Sequence, residues 1–257
     1  MIPKIIHLCW LSGDPYPSDI QKCLDTWKKY LPDYEIMLWD TKRFDVNSTL
    51  WTKQAFETKK YAFAADYIRL YALYNFGGIY LDSDVEVYKS FDPLLNLPYF
   101  IGQDYTGLFE AAVIGAEKGT KWIGEVLDYY HDRSFINEDG SFDTLPLPKV
   151  FAKQLYPLYK FKKLSNIPSN YIENKEDNIF YVFDRNFFNS RDSMGARRTK
   201  ESFCAHNYAG SWVKKKTGFK AVMQRIIPKP ILRRYFNFSH KTFRKKHITK
   251  GCIKFCD

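Results

Sequence analysis

The first forty positions carry three hydrophobic patterns in succession. Ile5-Ile6-His7-Leu8-Cys9-Trp10 is a short, mostly apolar run closed by Ser12-Gly13-Asp14-Pro15, which predicts a buried strand ending in a turn. From Asp19-Ile20 to Tyr30, the residues Ile20, Cys23, Leu24, Trp27 and Leu31 recur at three- and four-residue spacing, and Pro32 follows. That spacing predicts an amphipathic helix broken at the proline. Tyr34-Glu35-Ile36-Met37-Leu38-Trp39 then alternates like a strand. Strand, helix and strand in one short stretch make a βαβ unit, the building block of nucleotide-binding sheets.

A longer helix is predicted from about Lys53 to Phe76, with Phe63, Tyr67, Leu70, Tyr71 and Tyr74 on one side and Gly77-Gly78 as the stop. Directly after it, Ile79-Tyr80-Leu81-Asp82-Ser83-Asp84-Val85-Glu86-Val87 reads as an apolar strand that breaks into two carboxylates. Helices over Thr120 to Arg133 and near Pro148–Leu155, and a strand over Asn178-Ile179-Phe180-Tyr181-Val182-Phe183, complete an α/β reading. Most of residues 116–200 otherwise stays unassigned.

Two charged pairs stand out against this background. Asp66 and Arg69 are three apart on the long helix, so they share a face and can pair with each other or converge on a ligand. A surface ion pair worth under ~1 kcal/mol is the plain alternative. Their neighbours Ala62, Phe63, Ala64, Ala65, Tyr67, Ile68, Leu70 and Tyr71 are apolar or small, which favours a covered helix and a specific task for the pair. Arg69 should keep Asp66 ionised. Asp82 and Asp84 follow a strand, where open α/β sheets bind ligands. Two carboxylates at i and i+2 can hold a hard divalent cation, and that cation can neutralise a diphosphate. Asp-x-Asp alone is equally a turn sequence; its place behind the Asp66–Arg69 helix favours a site.

Composition narrows the class. The chain has 257 residues, 45% hydrophobic and 26% charged, enough for one sizeable core. No stretch reaches the ~20 uninterrupted apolar residues of a membrane-spanning helix, and the N-terminus lacks the pattern of a secretory signal. Five cysteines without a CxxC pair argue against a disulfide framework and a zinc ribbon, so a cytoplasmic protein is expected. The net charge of +10 is unevenly placed: residues 213–257 hold 14 Lys and Arg and one acid, so residues 1–212 are mildly acidic. In this tail Phe219, Val222, Met223, Ile226 and Ile227 fall at helical spacing, and Pro228 and Pro230 follow. A basic amphipathic helix of this kind either packs on the body or docks on an anionic membrane surface. Nucleic-acid binding ranks third, since none of the base-reading motifs is present.

Ile2-Pro3-Lys4-Ile5-Ile6-His7, Trp27-Lys28-Lys29 with Leu31-Pro32-Asp33-Tyr34-Glu35, Ala64-Ala65-Asp66-Tyr67-Ile68-Arg69, Gly77-Gly78-Ile79-Tyr80-Leu81-Asp82-Ser83-Asp84, and His206 with Gly210-Ser211-Trp212 together resemble the DXD-containing glycosyltransferase sugar-binding-region family. That family includes bacterial capsular, exopolysaccharide and lipopolysaccharide transferases and yeast initiating mannosyltransferases, and is similar to the glucosylating domain of large clostridial toxins. The resemblance covers about residues 1–212 and implies a GT-A fold with a mostly parallel central sheet, with 213–257 as a separate basic tail. It implies sugar transfer from a nucleotide-sugar donor, UDP-sugar favoured, to a glycan acceptor, with retention of configuration and Mn²⁺ or Mg²⁺ as cofactor. Bacterial surface polysaccharide synthesis, on a lipid-linked acceptor at the inner face of the cell membrane, is the expected setting.

By the same resemblance, Asp82 contacts the ribose and donor sugar, Asp84 binds the metal, and Asp66 and Arg69 hold the donor's hydroxyls. Tyr80 sits beside the diphosphate, Trp10 stacks on the base, and Ser211 and Trp212 belong to the C-terminal signature. His206 reads as a metal ligand or as a core histidine. No asparagine occurs around Phe109-Glu110-Ala111-Ala112, where some relatives place one near the donor sugar. A nucleotide-sugar hydrolase of the same fold, or a non-catalytic protein acting through the basic tail, are the rival readings.

Overall fold

The computed structural model describes residues 1–104, 106–168, 178–189, 191–192, 195–196, 198–209 and 253–256. Ser211, Trp212 and the expected tail helix lie outside the described residues. The elements run β1 (Ile5–Cys9), α1 (Ser18–Tyr30), β2 (Glu35–Trp39), α2 (Leu50–Glu57), α3 (Tyr61–Phe76), β3 (Gly78–Leu81) and β4 (Val85–Val87). They continue with β5 (Tyr99–Gln103), β6 (Phe109–Ala116), α4 (Lys121–Leu127), α5 (Leu147–Leu155), β7 (Lys160–Leu164), β8 (Ile179–Phe183), β9 (Arg191–Asp192), β10 (Gly195–Ala196) and β11 (Cys204–His206).

A seven-stranded sheet in the order β2-β1-β3-β6-β5-β8-β7 forms the centre. β1 lies parallel to β2 and β3, β5 to β8, and β8 to β7; β6 alone runs antiparallel to its neighbours β3 and β5. The expected α/β architecture with a mostly parallel sheet is therefore present. Alternation along the strands divides the core in two. Tyr80 and Ile114 join the apolar cluster under α2, α3, α4 and α5, while Ile6, Leu8, Ile79, Leu81 and Val113 join the one against α1 and β4. The last described residues of the basic tail rest on the body: Ile253 is buried, Phe255 bridges Phe161, and the Cys256 N–H donates to the Phe161 carbonyl.

The helix expected over Lys53 to Phe76 is two helices. Thr49 caps α2 by accepting from the Thr52 N–H. α2 ends where the Thr58 hydroxyl bonds back to the Gln54 carbonyl and Lys59 adopts φ 57°, a left-handed conformation that periodicity does not reveal. The strand expected over 79–87 also divides. The Val85 N–H folds back to the Asp82 carbonyl, so the chain turns through Asp82-Ser83-Asp84 and β4 leaves the main sheet to pair antiparallel with β11. The helix expected from Thr120 to Arg133 is α4 followed by a 3₁₀ turn over Asp128–Tyr130. Strands β5, β6, β7 and β11 had no counterpart in the sequence reading.

The Gly77-Gly78 stop has a steric reason. Both residues have positive φ, 67° and 107°, and a Cβ on Gly78 would lie 2.7 Å from the Ile5 carbonyl oxygen and 3.1 Å from His7 Nε2. His7 is fully buried there, with Nδ1 accepting from Trp39 Nε1–H at 3.0 Å and Nε2 donating to the Gly77 carbonyl at 2.6 Å. Burial pushes its pKa down to about 4, and the charge of Arg43 adds to the effect. The unfolded chain takes up this proton near the ordinary value of 6.5, so the stability His7 supplies is complete above that pH. It is lost as pH falls toward 4.

Replacing His7→Phe leaves the Trp39 N–H and the Gly77 carbonyl unpaired and is expected to cost about 2–4 kcal/mol at pH 7. Chemical denaturation of both proteins should show this penalty shrinking by about 2 kcal/mol at pH 5. A penalty equal at the two pH values would contradict a neutral buried imidazole.

Candidate active site

The turn after β3 presents Asp82 and Asp84 to opposite sides. On the α3 side, Asp82 Oδ1 accepts from the Tyr80 hydroxyl at 2.8 Å and lies 3.3 Å from Arg69 Nη1. Arg69 also donates Nη1–H to the Ala111 carbonyl at 2.8 Å, pairs through Nη2 with Asp66 Oδ1 at 2.9 Å, and lies with its guanidinium carbon 4.6 Å from the Tyr80 ring centre. Asp66 and Arg69 are both buried, so the pair is the covered one that the apolar neighbours predicted.

Its electrostatics differ from expectation. Burial, reinforced by the charge of Asp82, pushes Asp66 up to about 7 although Arg69 opposes it. Asp66 therefore titrates near neutrality rather than staying firmly ionised. Burial also disfavours the Arg69 cation, but Asp82, Tyr80 and Asp66 together outweigh that and hold its pKa above the usual range. Both directions make sense together because one guanidinium is shared between two carboxylates and contacts Asp82 as well as Asp66.

On the other side, Asp84 Oδ2 accepts from the Ala209 N–H at 2.7 Å, and Asp84 Oδ1 lies 3.4 Å from His206 Nε2. The pairing of β11 with β4, which sets His206 opposite Val85, brings the histidine here. Its Nδ1 meets Glu110 Oε1 at 3.1 Å. Burial lowers the His206 pKa, but the charge of Glu110 and the hydrogen bonds to Asp84 and Glu110 outweigh it, and the imidazolium persists well above its ordinary range. Burial likewise raises Asp84, but His206 and the Ala209 N–H bring it below the usual carboxylate value.

Asp82, Asp84 and His206 each offer a ligand atom, and these atoms lie within 4.8 Å of one another. Two carboxylates and an imidazole suit a divalent cation with mixed oxygen and nitrogen preference. Asp82 lies with Asp84 and His206, the two ligands expected from the sequence, as a third group that could hold the cation, and both ring nitrogens of His206 face acids. Tyr80 is buried against Arg69 and Asp82. Trp10 follows the carboxyl end of β1, half-buried, with its ring 4.9 Å from that of Tyr16 and its Nε1–H on the Asp14 carbonyl. Glu110, Asn189 and Tyr208 are not among the site residues expected from the sequence. Glu110 had a signal: it is the one charge in the apolar run Phe109-Glu110-Ala111-Ala112-Val113.

Residues 17–101 match the family described as glycosyltransferase sugar-binding region containing DXD motif. The resemblance read from the sequence is thus shown over α1 to β5, the stretch that supplies Asp66, Arg69, Tyr80, Asp82 and Asp84. Inositol phosphoceramide mannosyltransferase 3 of Schizosaccharomyces pombe is 31% identical over 133 residues, 49% of this chain and 36% of that protein. The chain spans about a third of that relative's length. An uncharacterised glycosyltransferase of Acanthamoeba polyphaga mimivirus is 25% identical over 224 residues, covering 82% of this chain and 84% of the other. The solved structure of PaToxG glycosyltransferase aligns at TM-score 0.46 and 22% identity over 61% of this chain and 68% of its own. The two sequence relatives are fungal and viral, not bacterial capsule enzymes.

Arg69→Met would leave the buried Asp66 and the half-buried Asp82 without their cation. Chemical denaturation should show a loss of about 3–5 kcal/mol, whereas a change below about 1 kcal/mol would mean that the pair is a surface ion pair in energetic terms.

Proposed function

We propose that the chain is a metal-dependent, retaining glycosyltransferase that moves a hexose from a nucleotide-sugar donor to a hydroxyl of a lipid-linked or glycan acceptor. The observation that carries this reading is the convergence of Asp82, Asp84 and His206 within 4.8 Å beyond the end of β3, inside and beside a region matched to sugar-binding transferases. Departure of a nucleoside diphosphate builds negative charge on oxygen, and a divalent cation held by these three residues would supply the Lewis acid that stabilises it. Asp82 Oδ1 is engaged by Tyr80 and Arg69, which fixes the carboxylate so that its other oxygen can meet the cation or the donor. Arg69 spends its donors on Asp66, Asp82 and the Ala111 carbonyl, so it holds the carboxylates in place. Asp66 is the member of the pair left to meet a sugar hydroxyl. A front-face reaction, with the leaving diphosphate deprotonating the acceptor, needs no side-chain nucleophile.

The fission-yeast relative is named as an inositol phosphoceramide mannosyltransferase, which makes mannose the first hexose to test and a phosphoinositol lipid the first acceptor. The same reading places the protein at a membrane face, held by the cations of residues 213–257. Replacing Arg233, Arg234, Lys245 and Lys246 by Gln should abolish salt-sensitive binding to anionic vesicles; binding that survives would overturn this attachment.

Isothermal titration with UDP and GDP, with and without Mn²⁺, tests the site. One nucleotide should bind only with metal, and Asp82→Asn/Asp84→Asn should lose it. If neither nucleotide binds under any metal, the transferase reading fails. Sugar released without acceptor would instead identify a hydrolase.

A further inference from the structure

Glu110 lies at the centre of a buried polar cluster behind the site. It is 3% exposed, on a strand whose other seven residues are apolar or glycine and all buried. Every acceptor direction of its carboxylate is used. Oε1 accepts from the Ala112 N–H at 3.1 Å and from His206 Nδ1 at 3.1 Å. Oε2 accepts from Asn189 Nδ2 and, at 3.4 Å, from the Tyr208 hydroxyl. Tyr208 is bent into the left-handed region, φ 51°, with its ring centre 4.1 Å from that of His206. This bend carries the next N–H, that of Ala209, onto Asp84 Oδ2. Glu110 thus grips both His206 and Tyr208, and through them sets how the 206–209 segment meets Asp84.

A carboxylate only accepts, so the hydrogen between Glu110 and His206 belongs to Nδ1. The imidazolium carries its second hydrogen on Nε2, the nitrogen that faces Asp84; where a cation takes the place of that hydrogen, the lone pair is on Nε2. We infer that Glu110 is a positioning residue of the cation site: it holds the His206 proton on Nδ1 and aims the Nε2 lone pair at the space shared with Asp82 and Asp84. A histidine ligand backed by a carboxylate is oriented and made more basic, and losing such a partner typically lowers metal affinity 10–100-fold. The inference rests on the reading of Asp82, Asp84 and His206 as a cation site.

Mn²⁺ affinity, read from the electron paramagnetic resonance signal of free Mn²⁺, separates the two claims. Glu110→Gln should weaken Mn²⁺ binding about 10–100-fold in the wild-type background and change it less than about twofold in a His206→Ala background. Equal weakening in both backgrounds, or unchanged affinity in Glu110→Gln, overturns the role of Glu110 and leaves the site reading standing. A wild-type protein that binds no Mn²⁺ overturns both. A second measurement needs no variant: in Zn²⁺-loaded wild-type protein, ¹⁵N–¹H correlation of the His206 ring should show the proton on Nδ1. A proton on Nε2 overturns the inference even if Glu110→Gln does not fold.

Discussion

Arg69 places a permanent charge inside the protein, and an enclosed guanidinium persists only where its donors are met and its charge is balanced. The partners come from separate places: Asp66 one turn back on α3, Asp82 at the end of β3, and the Ala111 carbonyl on β6. Satisfying one side chain therefore fixes the helix against two adjacent strands and fixes where the chain leaves the sheet. The Tyr80 ring beneath the guanidinium and its hydroxyl on Asp82 complete the same constraint.

The Asp82-Ser83-Asp84 turn straddles the two halves of the core. Asp82 answers to Arg69 and Tyr80 on the α3 side, and Asp84 answers to His206 and Ala209 on the β4–β11 side. Each carboxylate is anchored by a different set of neighbours, which holds the spacing between them. Arg69 balances Asp82, and the cluster of Glu110, Asn189 and Tyr208 holds His206 beside Asp84. A divalent cation would enter between two preset groups. Such preorganisation is what charge stabilisation in a leaving-group departure requires.

Much of the site was legible in local sequence. A charged pair in an otherwise apolar helix, a Gly-Gly stop and a strand running into two aspartates put Asp66, Arg69, Tyr80, Asp82 and Asp84 within reach of one another. Where periodicity failed, the cause was specific. The break between α2 and α3 depends on a left-handed Lys59, which any lysine could adopt or avoid. The division of the 79–87 strand depends on β11, a segment more than a hundred residues later, drawing β4 out of the sheet. β6 was missed because a strand buried on both faces has no alternation to read.

The sequence by itself determined the α/β class, the apolar faces of the helices and the pair of aspartates following an apolar strand, since these follow from propensities and spacings within a few residues. Only the tertiary structure decided that Glu110 and His206, 96 positions apart, share a hydrogen bond, that burial raises the Asp66 carboxyl, and that Asp82 lies close enough to Asp84 and His206 to share a cation with them. Those outcomes depend on strand pairing and on how far water is excluded. Both are properties of the assembled sheet, and no single segment carries them.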